Sequence, residues 1–195
     1  MIIGGSRQNL PPVIGFKSLF LAELLLILSF PAAKINIILV PILFIFRVIL
    51  KVRGLFGMQK RAEGFKTAGK FFVLSMMAWT VDYTGTGIVK IIAEVVGLLF
   101  DFFVVYFVCK TAVEILMTNN FAYLACLAPK ISRLYLIGSV AAFFSLLLTK
   151  VLDAGLFGSI VYYAASAVSF CISVLFAGFL YQIFRSFRNQ TLNKS

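Results

Sequence analysis

Three carboxylates fall inside apolar stretches of this sequence, where an ionisable group is most able to do chemistry. Glu94 and Asp101 are seven residues apart, so on a helix they lie on nearly the same face, which Lys90 shares. Glu23 falls in the middle of an earlier apolar run. A charged group inside a membrane costs about 2.5–3.5 kcal/mol on insertion scales, so it normally faces protein, water or a partner. These four residues are the candidates for an ion or proton pathway.

Three interpretations of the acids stay open: a proton or cation relay, structural contacts between helices, and a docking site for a partner protein. If the helix with Glu23 lies beside the helix with Glu94 and Asp101, the three carboxylates line one polar seam, as in a proton or cation relay. Alternatively, Lys90 pairs with Glu94 four residues on, and Asp101 accepts hydrogen bonds from polar side chains of another helix. Contacts of that kind hold membrane helices together and are worth about 0.6 kcal/mol on average.

The sequence lacks histidine and the sequence motifs that would indicate an enzyme. The sequence contains no histidine, which removes the commonest general base, the commonest transition-metal ligand and any Ser-His pair. It also lacks a Gly-rich phosphate-binding loop that ends in Lys-Ser or Lys-Thr. Cys109, Cys126 and Cys171 show no paired spacing and are expected to be small buried hydrophobic residues. We therefore expect no enzyme activity, no metal site and no cofactor.

The composition sets the class of protein. Of the 195 residues, 62% are hydrophobic and 13% charged, and the mean hydropathy is +1.03. A soluble domain of this length needs more polar surface than these residues can supply. The net charge of +11 would suggest nucleic acid in a soluble protein, but here the cations flank apolar runs. In that position they orient helices and attract anionic lipid headgroups. The composition thus predicts an integral membrane protein with no nucleic-acid partner.

The positions of the cations predict a topology. Of the 18 Lys and Arg residues, all but Lys34, Lys90 and Lys150 fall on one side of the predicted membrane. By the positive-inside rule, the cation-rich side is cytoplasmic. The chain is therefore expected to be an all-α, polytopic helical bundle with about six transmembrane helices. It would lie in a plasma (inner) membrane of bacterial type, with both termini in the cytoplasm.

Six apolar runs, each near the length that a roughly 30 Å hydrocarbon core requires, are predicted to form one membrane domain over residues 1–195. Residues 111–130 are expected to be a cytoplasmic connection with a short interfacial helix. The first run also resembles a signal peptide, although Glu23 in its apolar core argues against cleavage. The predicted spans are approximately 14–31, 34–52, 67–83, 88–108, 131–152 and 156–184.

The segment from 47 to 70 carries seven cations and one anion, the densest positive charge in the sequence. Leu55, Met58 and Phe65 recur at helical intervals, which is typical of an amphipathic helix in the membrane interface. Three glycines weaken that helix, so a basic cytoplasmic loop over 51–70 is the alternative. In either form, the segment is expected to bind anionic lipid.

Small residues recur at every fourth position of the last span, at Ala165, Ser169, Ser173 and Ala177. This spacing lets another helix approach closely. We expect the stripe to pack against the fifth span, with a homo-oligomer formed through the sixth span as the alternative.

Three functions of different classes follow from these features. The favoured one is a transport-type or transport-associated membrane protein with an intramembrane carboxylate pathway. The alternative is a non-catalytic subunit or scaffold whose helices dock against a larger membrane protein. The third, an enzyme that acts on lipid, is disfavoured by the absence of histidine.

Overall fold

The computed structural model describes residues 13–35, 39–59, 62–152 and 155–192. This part of the chain contains helices joined by turns and no β-strand, which confirms the predicted all-α class. A π-helical turn at Leu147–Val151 continues the fifth helix. The α-helices of the described residues are α1 (Val13–Ile35), α2 (Leu39–Met58), α3 (Glu63–Thr84), α4 (Gly87–Thr118), α5 (Ala122–Leu146) and α6 (Gly155–Leu192).

Three helices in the described part of the chain are long and apolar enough, by length and composition, to cross a membrane. They are α4, the stretch Ala122–Lys150 that combines α5 with most of the π-helical turn, and α6. Each carries an apolar run that only a bilayer or a large protein interior can accommodate. The predicted class of membrane protein is supported to that extent.

The six helices form a closed ring, in which each packs against the next along the chain and α6 packs against α1. Short connections make consecutive helices antiparallel. The contacts between α1 and α2 show this directly. Gly54 lies against Leu19, and Lys51, three residues earlier on α2, lies against Glu23, four residues later on α1.

The hydrophobic core lies toward one end of the ring. This end contains the start of α1, the end of α6 and the α2–α3 and α4–α5 turns. Phe16 joins three helices there, because its ring meets Phe65 edge-on at 5.9 Å and stacks on Phe187 at 6.2 Å. We call it the basic end, since it carries the cations Lys17, Arg53, Lys66, Lys110, Arg185 and Arg188.

The opposite, or far, end of the ring is packed less tightly. It contains the α3–α4 turn and the π-helical turn after α5. Large apolar side chains are exposed along this half, among them Met77, Ile88, Phe144 and Ile160. Lipid tails are as apolar as these side chains, so such faces carry no penalty within a bilayer. The basic end therefore holds the helices together, while the far half leaves room between them.

The segment 51–70 differs from both forms predicted for it. α2 continues to Met58 and α3 begins at Glu63, so the two helices are separated by a short turn. Leu55, Met58 and Phe65, which were expected to face lipid, are buried in the protein core. Their helical spacing indicates an apolar face, but spacing does not reveal whether lipid or protein covers that face.

The segment 111–130 also differs from its prediction. α4 continues to Thr118 and α5 begins at Ala122, so this segment consists of two long helix ends and a tight turn. Leu116 and Leu124 are buried against the core, which explains why both helices extend beyond the predicted spans. Polar residues within the segment lower its hydropathy without interrupting the helices.

Phe16→Ala tests the role of this core. We expect the free energy of unfolding to fall by about 3–5 kcal/mol, because the substitution leaves a cavity where three helices meet. SDS titration in mixed micelles measures this change. Ile14→Ala is the control on the same helix, since Ile14 is 61% exposed and its loss should have little effect. Equal stability of the two variants would show that the core is not where the helices are held.

Candidate functional site

Glu23 of α1 and Lys51 of α2 form an ion pair inside the bundle. Lys51 Nζ lies 2.8 Å from Glu23 Oε1, and the two side chains are only 4% and 2% exposed. The ammonium group also lies over the Phe72 ring of α3, 5.6 Å from its centroid. Since a cation is attracted to the face of an aromatic ring, this arrangement links three helices.

Arg47 adds a second cation to this pair. It lies one helical turn before Lys51 on α2, and its charge is close enough to act on Glu23. Its Nε is buried with no hydrogen-bond partner among the described residues. The α1–α2 side of the bundle therefore holds two interior cations and one carboxylate.

Asp101 of α4 is held by side chains of α3. Its Oδ1 accepts a hydrogen bond from Ser75 Oγ at 2.7 Å, and its Oδ2 accepts one from Trp79 Nε1 at 3.2 Å. Gly97, one turn away on α4, makes room for the indole, since a Cβ there would lie 3.2 Å from Trp79 Cε2. A carboxylate has about four acceptor positions, so each oxygen keeps one free.

Tyr135 of α5 connects the two groups. The charges of Asp101, Glu23 and Arg47 all reach its hydroxyl. Its ring packs edge-on against Phe176 of α6, with ring centroids 6.2 Å apart. The tyrosine lines the same cleft as Asp101 and is within electrostatic reach of Glu23 and Arg47.

The Glu23 and Asp101 sites lie at nearly the same depth in the bundle. Phe72, which packs under Lys51, and Ser75, which binds Asp101, are three residues apart on α3. At 1.5 Å per residue the separation along the axis is about 4.5 Å. We call the set Glu23, Arg47, Lys51, Ser75, Asp101 and Tyr135 the polar layer. It holds two carboxylates and two cations, so it is formally neutral.

A cleft of about 90 Å³ opens beside Asp101, between α4, α5 and α6. Its polar lining consists of Asp101, Tyr135, Ser139, Ser169 and Ser173. The cleft extends from the polar layer toward the far end, in the more open half of the bundle. It is the one place described so far where an interior carboxylate and free space meet.

Two of the small residues of α6, Ser169 and Ser173, line this cleft. Ala165, Ser173 and Ala177 are buried and Ser169 is half-buried, so the stripe faces the bundle interior. α5 approaches it closely at Gly138, where a Cβ would lie 2.7 Å from the side chain of Ile172. Within the described chain, small side chains therefore serve both to bring α5 close to α6 and to leave the cleft open.

Glu94 pairs with Lys150, in the π-helical turn, whereas Lys90 is exposed. The pair is partly exposed, at 20% for Glu94 and 40% for Lys150. Glu94 is seven residues from Asp101, so it lies about 10 Å farther toward the far end. Each of the three acids thus has its own partner, and only Glu23 and Asp101 belong to the same layer.

Sequence reasoning missed Lys51 as the partner of Glu23. Glu23 lies 12 residues before the end of α1 at Ile35, and Lys51 lies 12 residues after the start of α2 at Leu39. The two must therefore lie at the same level in antiparallel helices. A hairpin turn predicted near 31–34 hid this match, since α1 continues through Pro31. Arg47, Ser75, Trp79 and Tyr135 carried no comparable signal.

No protein-family model, curated protein or solved structure matches this chain. The function must therefore be inferred from the polar layer and the cleft themselves.

Single and double substitutions of the buried pair test its contribution to stability. Glu23→Met or Lys51→Met alone leaves an unpaired charge in the core, and we expect each to lower the free energy of unfolding by about 3–5 kcal/mol. The double substitution removes both charges and should recover most of this loss. SDS titration of all four proteins gives the coupling energy.

Arg53→Met is the matched control, because Arg53 is exposed on the same helix. Additive losses in the double variant would show that Glu23 and Lys51 do not depend on each other.

Proposed function

We propose that this chain is a small multi-pass transport protein that moves protons or cations across a plasma membrane by way of Asp101. The observation that carries the proposal is an interior carboxylate with free acceptor positions beside a polar cleft. Ionisable residues inside membrane helices are costly, and each is by default a candidate for a functional site such as an ion or proton pathway.

The ionisable groups lie at two depths of the bundle. The Glu94–Lys150 pair lies toward the far end, whereas Asp101 lines the cleft and lies in the polar layer with Glu23. The axial distance from Glu94 to Asp101 is about 10 Å. One or two waters in the cleft would bridge part of this distance. Below the polar layer, the packed core at the basic end would have to open during transport.

Six membrane crossings with both termini in the cytoplasm fit the ring of helices. α1, α2 and α3 have 23, 20 and 22 residues, so each is about 30–35 Å long and can cross a hydrocarbon core of roughly 30 Å. They pack side by side with the three more apolar helices. The positive-inside rule then orients the basic end toward the cytoplasm.

Asp101→Asn tests the pathway. Asparagine can still accept the hydrogen bond from Ser75, so we expect the protein to fold while flux falls at least about tenfold, since the charge that attracts a cation is lost. Flux is measured in proteoliposomes with an imposed ion or pH gradient and a trapped indicator dye. Glu114→Gln, at an exposed acid of the same helix, should transport normally.

Wild-type flux through the Asp101→Asn protein would remove the proposed pathway. Asp101 would then be a structural residue that joins α3 to α4 through Ser75 and Trp79.

Cysteine labelling tests the topology. In a protein whose native cysteines are replaced, we expect Thr86→Cys, in the far-end turn, to react with a membrane-impermeant maleimide in intact cells. Asn120→Cys, in the α4–α5 turn at the basic end, should react only after the membrane is opened. The reverse pattern would place the basic end outside.

A further inference from the structure

We infer that the cleft beside Asp101 binds a small monovalent inorganic cation such as sodium, with Asp101, Ser139 and Ser173 as its oxygen ligands. The inference rests on the proposed transport function and names the class of its substrate. Three properties of the cleft support it: the hydrogen-bond donors and acceptors that its lining residues leave unused, the charge of that lining, and the volume of the cleft.

Two of the three serine hydroxyls that line the cleft, those of Ser139 and Ser173, present only acceptor positions to it. Ser139 Oγ donates its proton to the backbone carbonyl of Tyr135 at 2.9 Å, one turn back on α5. Ser173 Oγ does the same to the carbonyl of Ser169 at 3.0 Å on α6. A hydroxyl has one proton and two lone pairs, so each oxygen can face the cleft only as an electron-pair donor.

Asp101 completes this acceptor lining. Ser75 and Trp79 approach the carboxylate from α3 and use one acceptor position on each oxygen. The remaining positions are available on the side of α5 and α6, where the cleft lies. Among the polar side chains that line the cleft, none carries an N–H group. An anion would therefore find only the hydroxyl protons of Tyr135 and Ser169, and it would face the negative charge of Asp101, whereas a cation would find several oxygens.

The charge of the lining favours a monovalent ion. Asp101 is the one carboxylate at the cleft, and within the described chain no three Asp, Glu, His or Cys residues are grouped closely enough to hold a metal ion. Divalent cations in proteins are usually held by several carboxylates or by nitrogen and sulfur ligands. A single charge with neutral hydroxyl oxygens matches a single positive charge.

The volume of the cleft sets the size of the ligand. About 90 Å³ holds roughly three waters at ~30 Å³ each, which corresponds to one cation with one or two waters. Sites for organic ligands are typically about 300–1,000 Å³. The cleft is therefore much smaller than a typical site for an organic ligand, and its size suits a partly hydrated inorganic ion.

Binding of radioactive sodium to the purified protein in detergent tests the inference. We expect saturable binding that excess unlabelled sodium displaces and that choline at the same ionic strength does not. Asp101→Asn should abolish saturable binding, because the charge is lost. Ser173→Ala removes one neutral ligand and should weaken binding by roughly tenfold, equivalent to about 1.4 kcal/mol.

Ser159→Ala is the matched control. Ser159 lies on the same helix and also donates its hydroxyl proton four residues back, to the carbonyl of Gly155, but it is exposed and does not line the cleft. Its substitution should leave sodium binding unchanged. Melting temperatures of all variants establish that weaker binding does not reflect unfolding.

The outcomes separate this inference from the transport proposal. Saturable sodium binding that survives both Asp101→Asn and Ser173→Ala would overturn the site. No sodium binding, together with proton flux that still depends on Asp101, would overturn the sodium assignment and leave a proton pathway. No binding and no Asp101-dependent flux would overturn both.

Discussion

Every charge inside this bundle needs a partner, because neither lipid nor packed side chains can solvate it. The Glu23–Lys51 pair meets this need within the protein itself. Lys51 Nζ lies 2.8 Å from Glu23 Oε1, and both side chains are almost fully buried. The pair places Lys51 of α2 level with Glu23 of α1 in the antiparallel hairpin. Lys51 also reaches Phe72, so the same contact positions α3.

Two halves of the bundle divide the tasks of stability and access. Phenylalanine contacts and long buried side chains hold the basic end, where α1, α3 and α6 meet around Phe16. The far half exposes large apolar side chains such as Met77 and Phe144 and contains the cleft between α4, α5 and α6. The polar layer lies at the boundary, so Asp101 is accessible from the cleft in the open half, while Glu23 is buried against the packed half.

The reach of sequence reasoning differed from element to element. The hydropathy and spacing of residues predicted the helical class. The free-energy cost of a charged side chain inside a membrane indicated that Glu23, Glu94 and Asp101 must have partners. The pairing of Glu94 with Lys150 could not be read from the sequence, because i, i+4 spacing made Lys90 the obvious partner. The burial of Leu55 and Phe65 was missed for a similar reason, as an apolar helical face fits lipid and protein equally well.

By itself, the sequence determined that the chain is helical and apolar, and that a few carboxylates must find partners within it. These properties depend on the composition of each segment and on the spacing of residues within it, so each segment can be read without knowing how the others pack. Only the tertiary structure decided which partners those are, and that a cleft with acceptor oxygens opens beside Asp101. Both depend on the antiparallel register and the distance between helices, and these arise when six separate segments pack around one another.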